Sequence, residues 1–195
     1  MEVPIAMKIG LIADSHIPEA MPELPSQVRT VFKGMDLILH AGDLHCIEVL
    51  DWLEEIAPVL ACRGNGDEGS GGRAVVPDDP RLHETAVTQC AGYTLGLVHD
   101  VLDPNEYPQW PIQRTMDQYF DRRPDIIVCG HTHVERIRRY DDVLVINPGS
   151  PTYPHNYSAQ LGTVGVLKLE ENRVGSVEIY NLKTLAVLPE LSTTF

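Results

Sequence analysis

The chain has 195 residues, enough for one sizeable α/β domain but short for two, and its 43% hydrophobic and 22% charged residues exclude a disordered chain. Its 28 acidic and 15 basic residues give a formal net charge of −13, which argues against general nucleic-acid binding because an acidic surface repels a phosphate backbone. No apolar run approaches the roughly 18 residues of a membrane span, and residues 1–8 lack a signal-peptide pattern. We therefore expect a cytoplasmic protein that does not bind membranes.

The first two thirds of the chain alternate short apolar runs with helix-like stretches, which is typical of an α/β fold. The predicted strands are residues 8–13, 36–40, 58–62, 85–90, 93–98 and 125–129. The predicted helices are residues 24–35, 47–56 and 110–120. Residues 64–80, rich in Gly, Pro and Asp, predict a long loop, and Ala91-Gly92 predicts a hairpin turn.

The last third of the chain has an all-strand pattern. Its predicted strands are residues 134–140, 143–146, 162–169 and 173–180. Glu171-Asn172 is predicted as the turn of the last hairpin, while residues 182–195 fit no single element. Since neither a repeat nor a linker is visible, we predict one domain over residues 1–195, with two packed sheets flanked by helices.

Polar side chains fall at the carboxyl ends of five of these apolar runs. In α/β folds that edge of a sheet binds ligands, because its loops surround an open crevice. Gly42, Gly64 and Gly130 each precede one of these polar residues, and the missing Cβ lets the chain turn sharply there. The candidate metal ligands are Asp14, His16, Asp43, Asn65, His99, His131 and His133.

The types of ligand in this set suit divalent cations, and their number indicates two cations rather than one. Imidazole suits Zn, Fe, Mn, Ni and Co, while carboxylate and amide oxygens suit harder cations. Seven ligands exceed the needs of one tetrahedral ion. They suit two ions roughly 3.5–4 Å apart that share a bridging carboxylate, an arrangement that serves phosphoryl transfer.

Five short motifs occur in the order found in the calcineurin-like metallophosphoesterases. They are Asp14-Ser15-His16, Gly42-Asp43, Gly64-Asn65, His99 and Gly130-His131-Thr132-His133. The chain most resembles the small bacterial and archaeal phosphodiesterase branch, which also includes the eukaryotic retromer scaffold subunit. The resemblance covers residues 8–150 and includes Asn147-Pro148-Gly149-Ser150. It implies an α/β fold, a four-layer α/β/β/α sandwich with two packed mixed β-sheets.

The resemblance also implies how the ligands divide between two divalent ions, with Mn expected first and Zn, Fe, Ni, Co or Mg as alternatives. The ligands of one ion would be Asp14, His16, Asp43 and His133. The ligands of the other would be Asp43, Asn65, His99 and His131. Asp43, Asn65 and His99 would belong to the catalytic machinery. A hydroxide between the ions would attack a small phosphoester substrate in line with the leaving oxygen.

Three positions bear on how the leaving oxygen receives its proton. Many relatives have His after the Asn, placed to protonate the leaving alkoxide, but this chain has Gly66. We therefore predict a preference for good leaving groups, such as those of aryl phosphodiesters, unless a metal-bound water or another residue donates the proton. Asp100 follows His99 and either binds a metal-bound water or faces solvent. His45 either reaches the substrate side or begins the next helix.

The remaining histidines, cysteines and arginines receive structural interpretations. His40 lies inside a strand, as a satisfied core residue or an orienter of ligands. His83 and His155 are predicted in surface loops. The scattered cysteines, expected as reduced thiols without a catalytic role, are Cys46, Cys62, Cys90 and Cys129. The arginines expected on a solvated face, with anion recognition the less favoured alternative, are Arg122, Arg123, Arg136, Arg138 and Arg139.

Other functions remain open at this point. Residues 64–69 match Gly-x-Gly-x-x-Gly, but the Gly- and Pro-rich residues that follow cannot form the helix that dinucleotide binding needs. A non-catalytic metal-binding scaffold on the same fold is the main alternative to a hydrolase. A nuclease of the same superfamily is disfavoured by the acidic charge. The sequence leaves the oligomeric state open and allows a homo-oligomer.

Overall fold

A computed structural model describes residues 6–171 and 173–195. Its strands, in chain order, are β1 Ala6–Ile12, β2 Leu37–Ala41, β3 Val59–Cys62, β4 Leu82–His83, β5 Ala86–Cys90, β6 Tyr93–Leu97, β7 Ile126–Val128, β8 Arg136–Tyr140, β9 Val143–Asn147, β10 Thr163–Glu170, β11 Gly175–Asn181, β12 Ala186–Val187 and β13 Thr193–Thr194. Its α-helices are α1 Ser26–Phe32, α2 Glu48–Glu54 and α3 Ile112–Tyr119. The predictions that rest on residues 1–5 and on Asn172 lie outside the described residues.

Two mixed sheets make up the strand layers of the described residues. The first has the order β12-β11-β10-β1-β2-β3-β4, with β13 also paired to β11. Within it β1, β2, β3 and β4 run parallel, while β10 is antiparallel to both β1 and β11. The second has the order β5-β6-β7-β9-β8, with β6, β7 and β9 parallel. The two-sheet α/β prediction is therefore confirmed.

The alternation of side chains along the strands produces three apolar layers. Leu11 and Leu39 of the first sheet pack against Leu95 and Val128 of the second, and this layer forms the core between the sheets. Neighbouring residues such as Ile12 face the opposite side, where α1 and α2 cover the first sheet. On the far side of the second sheet, buried residues of α3 pack against β7 and β9. The order of layers is helix, sheet, sheet, helix, as the resemblance implies.

The element boundaries differ from the predictions in understandable ways. Each helix is shorter than predicted; α1 begins directly after Pro25, whose extended backbone ends the preceding loop. The two-residue strand β4 was not predicted, and it contains the exposed His83. Residues 182–195, which fit no element, contribute β12 and β13, and both extend the edge of the first sheet at β11. The longest described helix has eight residues, so no helix in this part of the chain could cross a bilayer.

Two further predictions concern segments away from the strand ends. The segment after residue 69 forms only a three-residue 3-10 turn, Ser70–Gly72, which agrees with rejecting a dinucleotide-binding helix. The prediction that Arg136 lies on a solvated face is wrong, because its side chain is only 16% exposed. It turns inward because its guanidinium donates to the carbonyl of Val101 at 3.0 Å and faces the buried carboxylate of Asp103 at 3.5 Å. The single-domain organisation over residues 1–195 stays a prediction.

Candidate metal centre

The seven predicted ligands lie together at one edge of the two sheets. Asp14 and His16 follow β1, Asp43 follows β2 and Asn65 follows β3 in the first sheet. His99 follows β6, while His131 and His133 follow β7 in the second sheet. Because the parallel strands of each sheet end at the same edge, loops from both sheets meet there.

Asp43 lies at the centre of this arrangement, with its two carboxylate oxygens directed toward different histidines. Oδ2 is 3.4 Å from His16 Nε2, and Oδ1 is 3.5 Å from His99 Nε2. On the His16 side, Asp14 Oδ1 is 3.6 Å from His133 Nε2 and 4.0 Å from His16 Nε2. This is the placement that a carboxylate shared between two ions requires.

The other half of the cluster is more open. His131 Nδ1 lies 3.1 Å from Asn65 Oδ1 and 3.3 Å from His99 Nε2. Asn65 and His131 are exposed, whereas Asp14, Asp43, His99 and His133 are buried. A cleft of about 390 Å³ opens on this half and is lined by Asn65, Glu68, Glu84, His99, Asp100 and His131. A ligand from solvent therefore reaches the cluster from the side of Asn65 and His131.

The hydrogen bonds of two histidines leave their inner nitrogens free for a cation. His99 Nδ1 donates to the carbonyl of Ala41 at 2.8 Å, and His133 Nδ1 donates to the carbonyl of Tyr153 at 2.7 Å. Since a carbonyl only accepts, Nδ1 carries a proton in both residues, and the neutral imidazole that binds a cation has its lone pair on Nε2, directed into the cluster. Metal-binding histidines are usually oriented by such outer hydrogen bonds.

Two buried atoms show that the residues fit a bound cation. Asp14 Oδ2 and His16 Nε2 are buried and have no hydrogen-bond partner among the described residues. Leaving a buried polar atom unpaired costs about 1–3 kcal/mol. Ligand atoms of Asp14, His16 and His133 lie within 4.8 Å of one another, as do those of Asp14, Asp43 and His99. A cation in each overlapping group would satisfy these atoms.

In the protein without bound ions, the pKa values of these clustered groups are shifted because the groups are buried close to one another. Burial raises the pKa of Asp14 to about 7. Despite burial, the nearby imidazoles of His16 and His99 hold the pKa of Asp43 well below its usual range. Burial opposes a charge on His99, but Asp43 and Asp14 raise the pKa of His99 to about 9. Two carboxylates thus draw positive charge into a buried site, which is what a cation supplies.

The turns that carry the ligands have left-handed backbone conformations. Positive φ values between 48° and 70° occur at Asp14, His16, Asp43, His131 and His133. Such conformations cost on the order of 1–3 kcal/mol each and cluster at functional sites.

The glycine prediction has a steric basis at the same turns. A Cβ on Gly64 would lie 2.1 Å from Asp43 Oδ1, and one on Gly130 would lie 2.8 Å from Asp14 Oδ2. A Cβ on Gly42 would lie 2.5 Å from His99 Nδ1. Each of these glycines therefore makes room for a ligand of the cluster.

Comparison with known proteins identifies the family of this chain. A family model for the calcineurin-like phosphoesterase superfamily domain matches residues 7–172. The chain belongs to this superfamily. A probable metallophosphoesterase of Methanothermobacter thermautotrophicus is 36% identical over 148 residues, which cover 76% of this chain and 79% of that protein.

Two further matches cover most of the length of this phosphoesterase-superfamily chain, one from a sequence comparison and one from a structural comparison. A phosphodiesterase of Methanocaldococcus jannaschii is 24% identical over 85% of this chain and 95% of its own. The structure of vacuolar protein sorting 29 from Cryptosporidium parvum superposes with a TM-score of 0.73, at 24% identity and 97% coverage of both chains. At that identity the superposition establishes the fold alone.

Several residues that support the ligands of this phosphoesterase-superfamily chain were not singled out from the sequence. The buried Asp67 accepts hydrogen bonds from the backbone N–H groups of Asp43 at 2.9 Å, Gly64 at 2.8 Å and His45 at 2.8 Å. It therefore ties the loop after β2 to the loop after β3. Its position two residues after the candidate ligand Asn65, in a loop rich in acidic residues, is a weak sequence signal.

Two more residues hold the backbone around the candidate ligands, and a third bonds to a side chain there. Asn147 donates to the carbonyl of Gly130 at 2.7 Å, and Ser150 donates to the carbonyl of Asp14 at 2.7 Å. Both belong to the Asn-Pro-Gly-Ser motif, whose presence was noted without a role. His40 is fully buried, and its Nε2 hydrogen-bonds to the hydroxyl of Ser15, which lies between two candidate ligands in the chain; its role as an orienter stays a prediction.

The structure also shows what surrounds Gly66. Asp100 lines the open cleft beside His99. His45 precedes α2, and its ring centroid lies 4.2 Å from that of His16, so the side chain faces the cluster. A Cβ on Gly66 would lie 2.2 Å from His45 Nε2, so His45 occupies the space beside the position of the missing proton donor.

Proposed function

We propose that this chain is a dinuclear, metal-dependent phosphoesterase that hydrolyses phosphodiesters, with monoesters as further substrates. The observation that carries the proposal is the placement of Asp43, whose carboxylate oxygens face His16 on one side and His99 on the other. One ion would be held by Asp14, His16, Asp43 and His133. The other would be held by Asp43, Asn65, His99 and His131.

The chain's own residues would set the geometry of the reaction. Two divalent cations, with Mn expected first, would supply Lewis acidity and an activated water nucleophile. The exposed Asn65 and His131 border the cleft from which the phosphoester would enter. The buried Asp14 and His133 would close the opposite side of the site to solvent. The phosphodiesterase named among the relatives supports a diester substrate.

Two alternatives make different predictions. A non-catalytic metal-binding scaffold is favoured by Gly66, because this position offers no proton to a leaving group, and the fold is shared with a vacuolar sorting protein. A nuclease is disfavoured by the net charge of −13, and we expect no hydrolysis of single- or double-stranded DNA.

The direct test is Mn²⁺-dependent hydrolysis of an aryl phosphodiester by the purified full chain. We expect turnover with Mn²⁺, none with excess chelator, and loss of turnover in Asp43→Ala. The matched control is Asp142→Ala, because this side chain is 70% exposed and away from the ligand cluster. A folded protein that binds ions but hydrolyses no phosphoester would contradict the hydrolase and favour the scaffold.

A further inference from the structure

His45 lies two residues after Asp43, in the loop between β2 and α2, and is absent from the ligand set implied by the family resemblance. Ligand atoms of His16, Asp43 and His45 lie within 4.8 Å of one another. This group overlaps the group of Asp14, His16 and His133 at His16. His45 therefore reaches the same region as the proposed ion on the His16 side.

Two hydrogen bonds orient His45. Its backbone N–H donates to Asp67 Oδ1 at 2.8 Å, and its ring Nδ1 donates to Glu19 Oε2 at 2.8 Å. Glu19 also faces the guanidinium of Arg73 at 3.4 Å. Because an ionised carboxylate only accepts, Glu19 keeps the proton of the neutral imidazole on Nδ1 and leaves the lone pair on Nε2.

The free nitrogen of His45 is enclosed. The side chain is only 1% exposed, and Nε2 is a buried atom without a hydrogen-bond partner among the described residues. The 2.2 Å from Nε2 to the Cβ position of Gly66 means that any side chain at residue 66 would displace the imidazole. The absence of a side chain at Gly66 and the inward position of His45 therefore depend on each other.

The chemistry of this nitrogen distinguishes a ligand from a proton donor. In the neutral imidazole, Glu19 holds the proton on Nδ1, so Nε2 offers a lone pair and no proton to a leaving oxygen. A buried lone pair beside His16 and Asp43 is instead what a cation accepts, and carboxylate–histidine pairs commonly orient such ligands. We propose that His45 is a further ligand of the ion held by His16 and Asp43, with Glu19 as its positioning residue. This inference rests on the proposed function of the cluster as a metal centre.

The test measures metal binding rather than turnover. Titration calorimetry of the full chain with Mn²⁺ gives the number of ions and their dissociation constants, and the visible spectrum of the Co²⁺-loaded protein reports the ligand set. We expect His45→Gln to weaken one of the two ions at least about tenfold and to change the Co²⁺ spectrum. We expect Glu19→Gln to weaken the same ion in the same direction, by roughly tenfold.

The control is His155→Gln, because His155 also pairs with a carboxylate, that of Glu135 at 2.9 Å, and also has a positive φ, but is not among the candidate ligands. The His155→Gln protein should have the same Mn²⁺ dissociation constants and the same Co²⁺ spectrum as the wild type. If the wild type binds two ions and His45→Gln binds both unchanged, His45 is not a ligand and the proposed function stands. If the wild type binds none, both proposals fail. Should His45→Gln not fold, Glu19→Gln decides, because Glu19 is 45% exposed.

Discussion

Replacing Asp67 by Ala tests whether this buried carboxylate holds the two ligand-bearing loops together. The substitution leaves the backbone N–H groups of Asp43, Gly64 and His45 without their acceptor. Each unsatisfied buried donor costs about 1–3 kcal/mol. Burial raises the pKa of Asp67, which shows that burying this carboxylate is itself unfavourable. Because the Ala variant no longer buries a charge, we take the lower end of the range, about 1 kcal/mol, for each of the three donors. The expected loss in the free energy of unfolding is about 3 kcal/mol.

The measurement is urea unfolding and thermal unfolding of the protein in excess chelator. For a chain of this size, a loss of about 3 kcal/mol lowers the Tm by roughly 6–12 °C. The control Asp78→Ala removes a fully exposed carboxylate from the same loop, whose ion pair with Arg63 is screened by solvent, so we expect little change in stability. An Asp67→Ala protein as stable as the control would refute the role of Asp67 as a tie between the loops.

Two further predictions follow from the site. Because Gly66 offers no proton, an aryl phosphodiester should turn over far faster than its alkyl counterpart in a direct comparison of kcat/KM, and equal rates would disprove the missing-donor argument. In the protein with chelator, burial lowers the pKa of His40 to about 3 and of His133 to about 4, so the unfolded chain binds their protons first and the protein loses stability as pH falls below about 6.5. Burial raises the pKa of Asp14 to about 7, and proton uptake by the folded protein at this residue offsets part of that loss. The stability from His99, whose pKa is about 9 because its carboxylate partners outweigh burial, is lost as pH rises through that value. Urea unfolding across this range should show a maximum near pH 6.5, and a steady rise in stability toward pH 9 would contradict the assignment.

The gathering of the candidate ligands at one sheet edge could be predicted because its signals are local. Each ligand follows an apolar run, and Gly42, Gly64 and Gly130 precede three of the loops' polar residues. This prediction did not require the order of the strands in the sheet, because the carboxyl ends of parallel strands lie at the same edge whatever their order. The steric distances at Gly64 and Gly130 show that these glycines are required by close approach of Asp43 and Asp14.

The supporting residues could not be predicted because their partners are distant in sequence. Asp67 bonds to the backbone 24 residues earlier, and Ser150 bonds to the backbone 136 residues earlier. Nothing local distinguishes Glu19 from other surface acids until the fold brings it to His45. The inward position of Arg136 has the same origin, because Arg136 lies in β8 whereas its partner Asp103 lies in the loop between β6 and α3.

The central claim is that Asp43 lies between two cations, and diffraction from a crystal soaked in Mn²⁺ tests it most directly. Anomalous scattering should show two peaks roughly 3.5–4 Å apart. One peak should lie among Asp14, His16 and His133, and the other among Asn65, His99 and His131, with Asp43 contacting both. A map in which Asp43 and His131 point into separate regions, with no ion between them, would contradict the account.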